Sequence, residues 1–322
     1  MRDTWYHNDI ATFENKKSKS IIHPFKVRQH NGLTINPYQG CQHRCGYCYA
    51  TYEWSPNFYD KVYIKNNAPE VLDSQLRSWK YDTIGPVMIS SATDAYQPAE
   101  VKYDITRGCV QILQKYNVPY YVFTKSSIIL RDLELHQKYR NNCFLVWSIT
   151  TCNEKIRRVV EPGTPPSSSI FSVIRKFSEA GVCCVVNIDP ILPLITDTEE
   201  EIDTILDECE RSNVKYAFGA FLRLRSDIWQ RMKIILKLLE LDSGIAEYMK
   251  KIYQFAEPLT PRCNLSVNEN YSHGLLDILK DKIVKRGILY DFPEFIGTRR
   301  INRNIENHVN LGGEQLTLME FI

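Results

Sequence analysis

From residue 33 onward the chain alternates between two kinds of pattern. Short runs rich in β-branched and aromatic residues have the length of strands: LTINPYQ (33–39), PVMISS (86–91), PYYVFT (119–124), FLVWSIT (144–150), VCCVVNI (182–188) and VKYAFGAF (214–221). Between them lie longer stretches with apolar residues at helical spacing: PEVLDSQLRSWK (69–80), TRGCVQILQKY (106–116), SIILRDLELHQKY (127–139), SSIFSVIRKFSEA (168–180) and EEEIDTILDECERS (199–212). A long helical region follows over about 226–255. Six strand–helix units in succession predict an α/β fold with a parallel sheet and helices outside it. Runs that are apolar throughout suit strands buried on both faces. An open doubly wound sheet and a full or partial barrel both satisfy the pattern. In either, chemistry belongs at the C-terminal ends of the strands. Residues 1–30 read as an irregular lead-in carrying the basic stretch KKSKS. From about 257 the pattern changes, and a possible helix, HGLLDILKDKIVKRG, reads as part of an appended segment rather than a seventh unit.

Composition narrows the class. The chain has 322 residues, 43% hydrophobic and 24% charged, which is ordinary for a globular protein with a sizeable core. A formal net charge of +2 excludes a basic wrap-around nucleic-acid binder, so any such surface is local. The N-terminal stretch is polar, and no apolar run approaches a membrane span, so a cytoplasmic protein is expected. Ten cysteines in a chain of this kind suit reduced thiols better than a disulfide framework.

Three of those cysteines, Cys41, Cys45 and Cys48, fall within CQHRCGYC directly after the first strand. Thiolates bind soft metal centres. A zinc site usually draws four ligands from two separated pairs, and no second pair follows here. His43 is a possible fourth ligand, but ligands so close together make a poor tetrahedron. An iron–sulfur cluster normally takes four cysteines, so three leave one iron open.

C-x3-C-x2-C in a loop after the first strand of a repeated strand–helix fold resembles the radical SAM superfamily. NPYQGCQHRCGYCYA, SSATDAYQPAE, TKSSIILRD, WSITT and EPGTPP narrow the resemblance to its spore photoproduct lyase-like, DNA repair photolyase group, over roughly residues 30–225. The resemblance implies a partial (β/α)6 barrel over 31–256 with a C-terminal extension over 257–313. It implies a [4Fe-4S] cluster on Cys41, Cys45 and Cys48, whose open iron chelates S-adenosylmethionine. One electron, from a donor such as ferredoxin or flavodoxin, then cleaves the sulfonium to a 5′-deoxyadenosyl radical. Tyr47 would pack near the adenine, and Tyr47 and Tyr49 match two tyrosines implicated in relaying a radical. Thr93 would contact the methionine amino group, Lys125 its carboxylate and Ser148 the ribose, with Asn187 a further candidate for the nucleoside pocket. A cation at Lys125 also makes electrostatic sense. The substrate implied is a damaged base in DNA, swung out of the stack. Ala92 stands where the family's hydrogen-donating cysteine is expected, which leaves open a radical SAM enzyme acting on an RNA base or a peptide, or a non-catalytic cluster-bearing adaptor. Asp94, Glu100 and Glu161 flank the expected pocket and could bind substrate or order loops.

The last eight residues, QLTLMEFI, resemble the peptide that binds the sliding clamp (PCNA). Gln315 would fill a polar pocket, and Leu318, Phe321 and Ile322 would present one apolar face of a helical turn. Ile322 departs from the second aromatic that is common there. Tail residues 314–322 are thus expected to bind a clamp, and Arg299, Arg300 and Arg303 to contact phosphates near them.

Overall fold

The six strand candidates assemble into one sheet. The protein is seen here in a computed structural model that describes residues 11–27, 30–53, 57–241, 243–261 and 263–303. The strands are β1 (Thr12–Asn15), β2 (His23–Val27), β3 (His30–Ile35), β4 (Tyr38–Gln39), β5 (Lys61–Ile64), β6 (Thr83–Ile84), β7 (Val87–Ile89), β8 (Tyr120–Thr124), β9 (Cys143–Ser148), β10 (Cys183–Ile191), β11 (Tyr216–Phe221) and β12 (Arg299–Arg300). The helices are α1 (Ala50–Glu53), α2 (Ala68–Arg77), α3 (Ala99–Tyr103), α4 (Ile105–Lys115), α5 (Leu133–Lys138), α6 (Glu154–Val160), α7 (Ser167–Glu179), α8 (Glu199–Arg211), α9 (Ser226–Leu238), α10 (Ser243–Ile252) and α11 (Glu269–Lys285).

The main sheet runs β11-β10-β9-β8-β7-β3-β2, with every pair parallel except β2 against β3. This is the sequential order of a partial barrel with two open edges. Side chains alternate across it. Tyr120, Val122, Leu145, Trp147, Cys184 and Val186 join the large core shared with the helices. Tyr121, Phe144, Val146 and Val185 form a second cluster on the other face. Both faces are apolar, which is why the strand runs lack a polar period.

The C-terminal extension covers that second face. Phe292 meets Tyr121, Phe144 and Phe218 edge-on at ring-centroid distances of 5.3, 5.1 and 5.9 Å. Leu289 continues the pairing beyond β11, its N–H donating to the Lys215 carbonyl at 3.1 Å and its carbonyl accepting from Ala217 N–H at 2.9 Å. β12 pairs antiparallel with β6.

Two expectations change. Over its described residues the lead-in is not irregular: β2 adds an antiparallel edge to the main sheet, and β1 pairs with β5. β1 is exposed at all four positions, so no apolar run marks it in the sequence. The single helical region over 226–255 is two helices. Glu240 takes a positive φ of 56°, and Leu241 and Glu240 donate back to the Leu236 and Lys237 carbonyls at 3.0 and 3.1 Å, closing α9 with a Schellman-type cap. Among the described residues no helix is long and apolar enough to cross a membrane.

Candidate functional site

The cysteine loop begins where the backbone must turn sharply. Gly40 has φ +91°, and a Cβ there would lie 2.2 Å from the Lys61 carbonyl oxygen. Its own carbonyl accepts from Thr93 Oγ1 at 2.7 Å and Gln97 Nε2 at 3.1 Å. The loop that follows is held through its main chain. Tyr59 donates to the Cys45 carbonyl at 2.6 Å. Arg231, from α9, donates to the Gly46 and Cys48 carbonyls at 2.6 and 3.2 Å. Gly46 N–H reaches Val160 at 2.8 Å, and Gly163 N–H reaches His43 at 3.0 Å. The Gly163 approach admits no side chain, since a Cβ would sit 2.2 Å from the Gln42 carbonyl.

This framework fixes the backbone and leaves the thiols to a ligand. Cys41 and Cys45 are buried, Cys48 is half-buried, and all ten cysteines are free thiols. Burial raises the pKa of all three, with Asp94 adding to the effect at Cys41 and Glu161 at Cys45. Buried thiols of this kind become thiolates when a soft metal replaces the proton. His43 is not a fourth ligand. Its Nδ1 faces the Gly163 carbonyl at 3.0 Å and its Nε2 pairs with Asp94 at 3.2 Å. Among the described residues the triad does not converge as the ligands of a single mononuclear ion do.

Asp94 organises the neighbouring strand ends. It accepts from Thr124 Oγ1, Lys125 N–H and Tyr96 N–H at 2.8, 2.7 and 2.8 Å. Burial opposes its charge, yet His43 and these donors hold its pKa below the usual carboxylate range. Lys125 follows β8 and points its ammonium to the Ser148 carbonyl at 2.9 Å, Glu161 Oε1 at 3.0 Å and Thr150 Oγ1 at 3.5 Å. It also lies 5.5 Å from the Tyr47 ring centroid. Tyr47 is buried and donates to Glu161, with Thr150 Oγ1 3.0 Å away. Burial opposes charge on both members of the Lys125–Glu161 pair, and each partner restores the other's: Lys125 is held above its usual pKa and Glu161 below. Ser148 and Asn187 face each other across β9 and β10. Asn187 Oδ1 and Ser90 Oγ are buried without a hydrogen-bond partner. Polar atoms left this way in a buried site need a ligand or water.

The sequence-derived candidates thus separate. Tyr47 and Lys125 meet on Glu161, Lys125 also reaches the Ser148 main-chain carbonyl, and the charges of Glu161 and Lys125 act on the Cys45 thiol. Thr93 is engaged with the cysteine loop through Gly40 and Gln97. Tyr49 is exposed and donates to the Ser91 carbonyl, next to the buried Ala92. Glu100 orders a loop: it is fully buried and takes Tyr38 at 2.5 Å, the N–H groups of Thr106 and Arg107 at the start of α4, and Arg131 at 2.9 Å. Arg299 and Arg303 lie at the opposite end of the strands and are tied to Asn142 at 3.0 Å and Asp82 at 3.1 Å. Gln315, Leu318, Phe321 and Ile322 lie outside the described residues. Sequence reasoning missed Tyr59, Gln97 and Arg231. Arg231 stands 183 residues beyond Cys48, and no local pattern announces it.

A soft triad, a buried ammonium and unpaired polar atoms gathered at parallel strand ends suit a cluster with an amino-acid-bearing nucleoside. The profile of the Radical SAM superfamily matches residues 35–209, more than half of the chain. The chain belongs to the radical SAM superfamily. Enzymes of this superfamily bind a [4Fe-4S] cluster and S-adenosylmethionine, and this chain has the partial-barrel fold. An uncharacterized protein of Mycobacterium tuberculosis is 30% identical over 228 residues, which span 67% of this chain and 64% of the relative. A spore photoproduct lyase double mutant with bound AdoMet and dinucleoside spore photoproduct has a TM-score of 0.62 at 13% identity, covering 85% of this chain and 78% of its own. Streptococcus suis SuiB, bound to its precursor peptide SuiA, has a TM-score of 0.51 at 16% identity, covering 81% of this chain and 49% of its own. At these identities the likeness to both structures is one of fold.

Proposed function

We propose that this enzyme acts on damaged, ultraviolet-type bases in DNA, with Cys41, Cys45 and Cys48 as the cluster ligands. The observation that carries the reading is the arrangement around the triad: Lys125 and Tyr47 on Glu161, whose charge acts on Cys45, and the exposed Tyr49 phenol at the carbonyl preceding Ala92. When bound, the cluster and S-adenosylmethionine supply a 5′-deoxyadenosyl radical that abstracts a hydrogen atom from the substrate. The chain's own part is positional. Arg231 and Tyr59 hold the loop carbonyls and so fix the backbone that carries the thiols. Lys125, whose charge acts on Cys45, would hold the methionine carboxylate, Thr93 the amino group, and Ser148 and Asn187 the nucleoside. The unpaired Asn187 Oδ1 suits a hydrogen-bonding heterocycle. Half-exposed Phe123 and Phe218 are flat apolar neighbours for one. Tyr49, whose hydroxyl lies on the Ser91 carbonyl, would exchange a hydrogen atom with the substrate.

Ala92 favours a second reading, in which an RNA base or a peptide is modified and no thiol returns a hydrogen atom. A cytoplasmic setting, an electron donor of the ferredoxin or flavodoxin type and clamp binding through Gln315, Leu318, Phe321 and Ile322 belong to the same proposal. The test is anaerobic reconstitution, then reduction with S-adenosylmethionine, with and without ultraviolet-irradiated DNA, following 5′-deoxyadenosine and each lesion. The DNA reading expects 5′-deoxyadenosine coupled to loss of a lesion. 5′-Deoxyadenosine with every lesion untouched overturns it in favour of another substrate.

A further inference from the structure

Lys125 is already engaged in the structure. Its ammonium makes two short hydrogen bonds, to the Ser148 carbonyl at 2.9 Å and Glu161 Oε1 at 3.0 Å, and a long contact to Thr150 Oγ1 at 3.5 Å. Its ionic partner is Glu161, whose place a ligand carboxylate would take. Two of the three acceptors are neutral, and only Glu161 has the chemistry of the incoming group.

Glu161 is also a costly residue to place there. It caps the C-terminal end of α6, where the helix dipole disfavours a negative charge. It is buried, and its charge acts on the Cys45 thiol. An unpaired buried ammonium is costly as well, so each group needs the other while the pocket lacks a ligand. Glu161 nevertheless has partners that do not depend on Lys125. Tyr47 donates to Oε1, and Thr164 Oγ1 lies 3.3 Å from Oε2. The carboxylate can therefore give up the ammonium and stay hydrogen-bonded.

We propose that Glu161 is an internal stand-in for the methionine carboxylate: it occupies Lys125 until S-adenosylmethionine displaces it, and so sets the affinity and selectivity of the pocket for ligands that carry an α-carboxylate. This rests on the reading above that Lys125 receives that carboxylate. Glu161 is a positioning residue here, acting through Lys125.

The sign of the effect separates displacement from ordinary electrostatics. S-adenosylmethionine carries a sulfonium and an ammonium, so loss of a neighbouring carboxylate should by charge alone weaken its binding. Displacement demands the reverse, because Glu161→Gln removes a competitor. The experiment is equilibrium binding of S-adenosylmethionine and of 5′-methylthioadenosine, which lacks the amino-acid carboxylate, to anaerobically reconstituted wild type and Glu161→Gln of measured iron content. The expected result is about tenfold tighter S-adenosylmethionine binding in the variant, with 5′-methylthioadenosine changed less than about twofold. Weaker or unchanged S-adenosylmethionine binding, or a parallel change in both ligands, overturns the proposal. If Glu161→Gln takes up no iron, Glu161→Asp serves in its place. The shorter arm weakens the contact with Lys125, so selective tightening in the same direction is expected and its absence overturns the proposal. A fully loaded wild type that binds no S-adenosylmethionine would instead sink the underlying reading of the site.

Discussion

At the scale of single residues, the two tyrosines of CGYCY have different tasks. Tyr47 is buried with its hydroxyl between Thr150 and Glu161, whereas Tyr49 is 49% exposed with its hydroxyl on a main-chain carbonyl. Tyr47→Phe leaves a buried carboxylate short of a donor, and a urea melt should show a loss of about 1–3 kcal/mol. Tyr49→Phe should stay within about 0.5 kcal/mol of wild type. Equal losses in the two variants would contradict this division. The cysteine spacing was legible because three thiols in eight residues have few other uses. The partners of Lys125 were not, because Glu161 comes from a helix end 36 residues away and its meaning depends on packing. Ala92 was legible as a departure. Of the remaining thiols, Cys109, Cys143, Cys184 and Cys209 prove to be buried core residues.

At the scale of elements, the segment after α6 and the cysteine loop are fastened backbone to backbone, and this makes a glycine indispensable. Gly163→Ala would drive a methyl into the Gln42 carbonyl and move the loop that carries Cys45. Reconstituted Gly163→Ala should bind substantially less iron than wild type while the far-ultraviolet circular dichroism of the barrel is kept. Full iron content would show that the close approach is dispensable. A second set of elements is joined by a polar chain. Gln114 of α4 donates to Tyr120 of β8 at 2.8 Å, and the two nitrogens of His136 in α5 lie 3.0 Å from the hydroxyls of Tyr120 and Tyr96. Tyr96 in turn donates to Asp132 at 3.0 Å. A neutral imidazole, one donor and one acceptor, completes this chain. Burial holds His136 down to about 4, against the raising effect of Asp132. Because the folded value lies below the unfolded one, its contribution is complete above about pH 6.5 and is lost as pH falls toward 4. By pH 5 the loss relative to pH 7 should be about 2 kcal/mol in a urea melt. The difference should shrink by that amount in His136→Gln, and an undiminished pH dependence there would refute the assignment.

At the scale of the whole molecule, the parallel order of six strands was readable because each is an apolar run separated from the next by a helix. The covering of the sheet's second face was not. Phe292 and Phe295 come from a short stretch, DFPEFI, with neither helical nor strand periodicity, whose aromatics acquire meaning only against Tyr121, Phe144 and Phe218. Phe292→Ala should therefore destabilise the protein by roughly 2–3 kcal/mol, and a loss below about 0.5 kcal/mol would mean the extension is not part of the core. The extension reaches Phe218, which is in register with Asn187, and the cysteine loop sits at the C-terminal ends of the strands, so the aromatic covering of the sheet borders the candidate site. The C-terminal end of the strands is expected to hold a cluster with one open iron. The electron paramagnetic resonance spectrum of the anaerobically reconstituted, reduced protein before and after S-adenosylmethionine, beside Cys45→Ala, tests this. About four irons per chain are expected, with a reduced [4Fe-4S] signal that shifts on adding S-adenosylmethionine and loss of both in the variant. A fully loaded cluster whose spectrum ignores S-adenosylmethionine, or one that survives intact in Cys45→Ala, would contradict it.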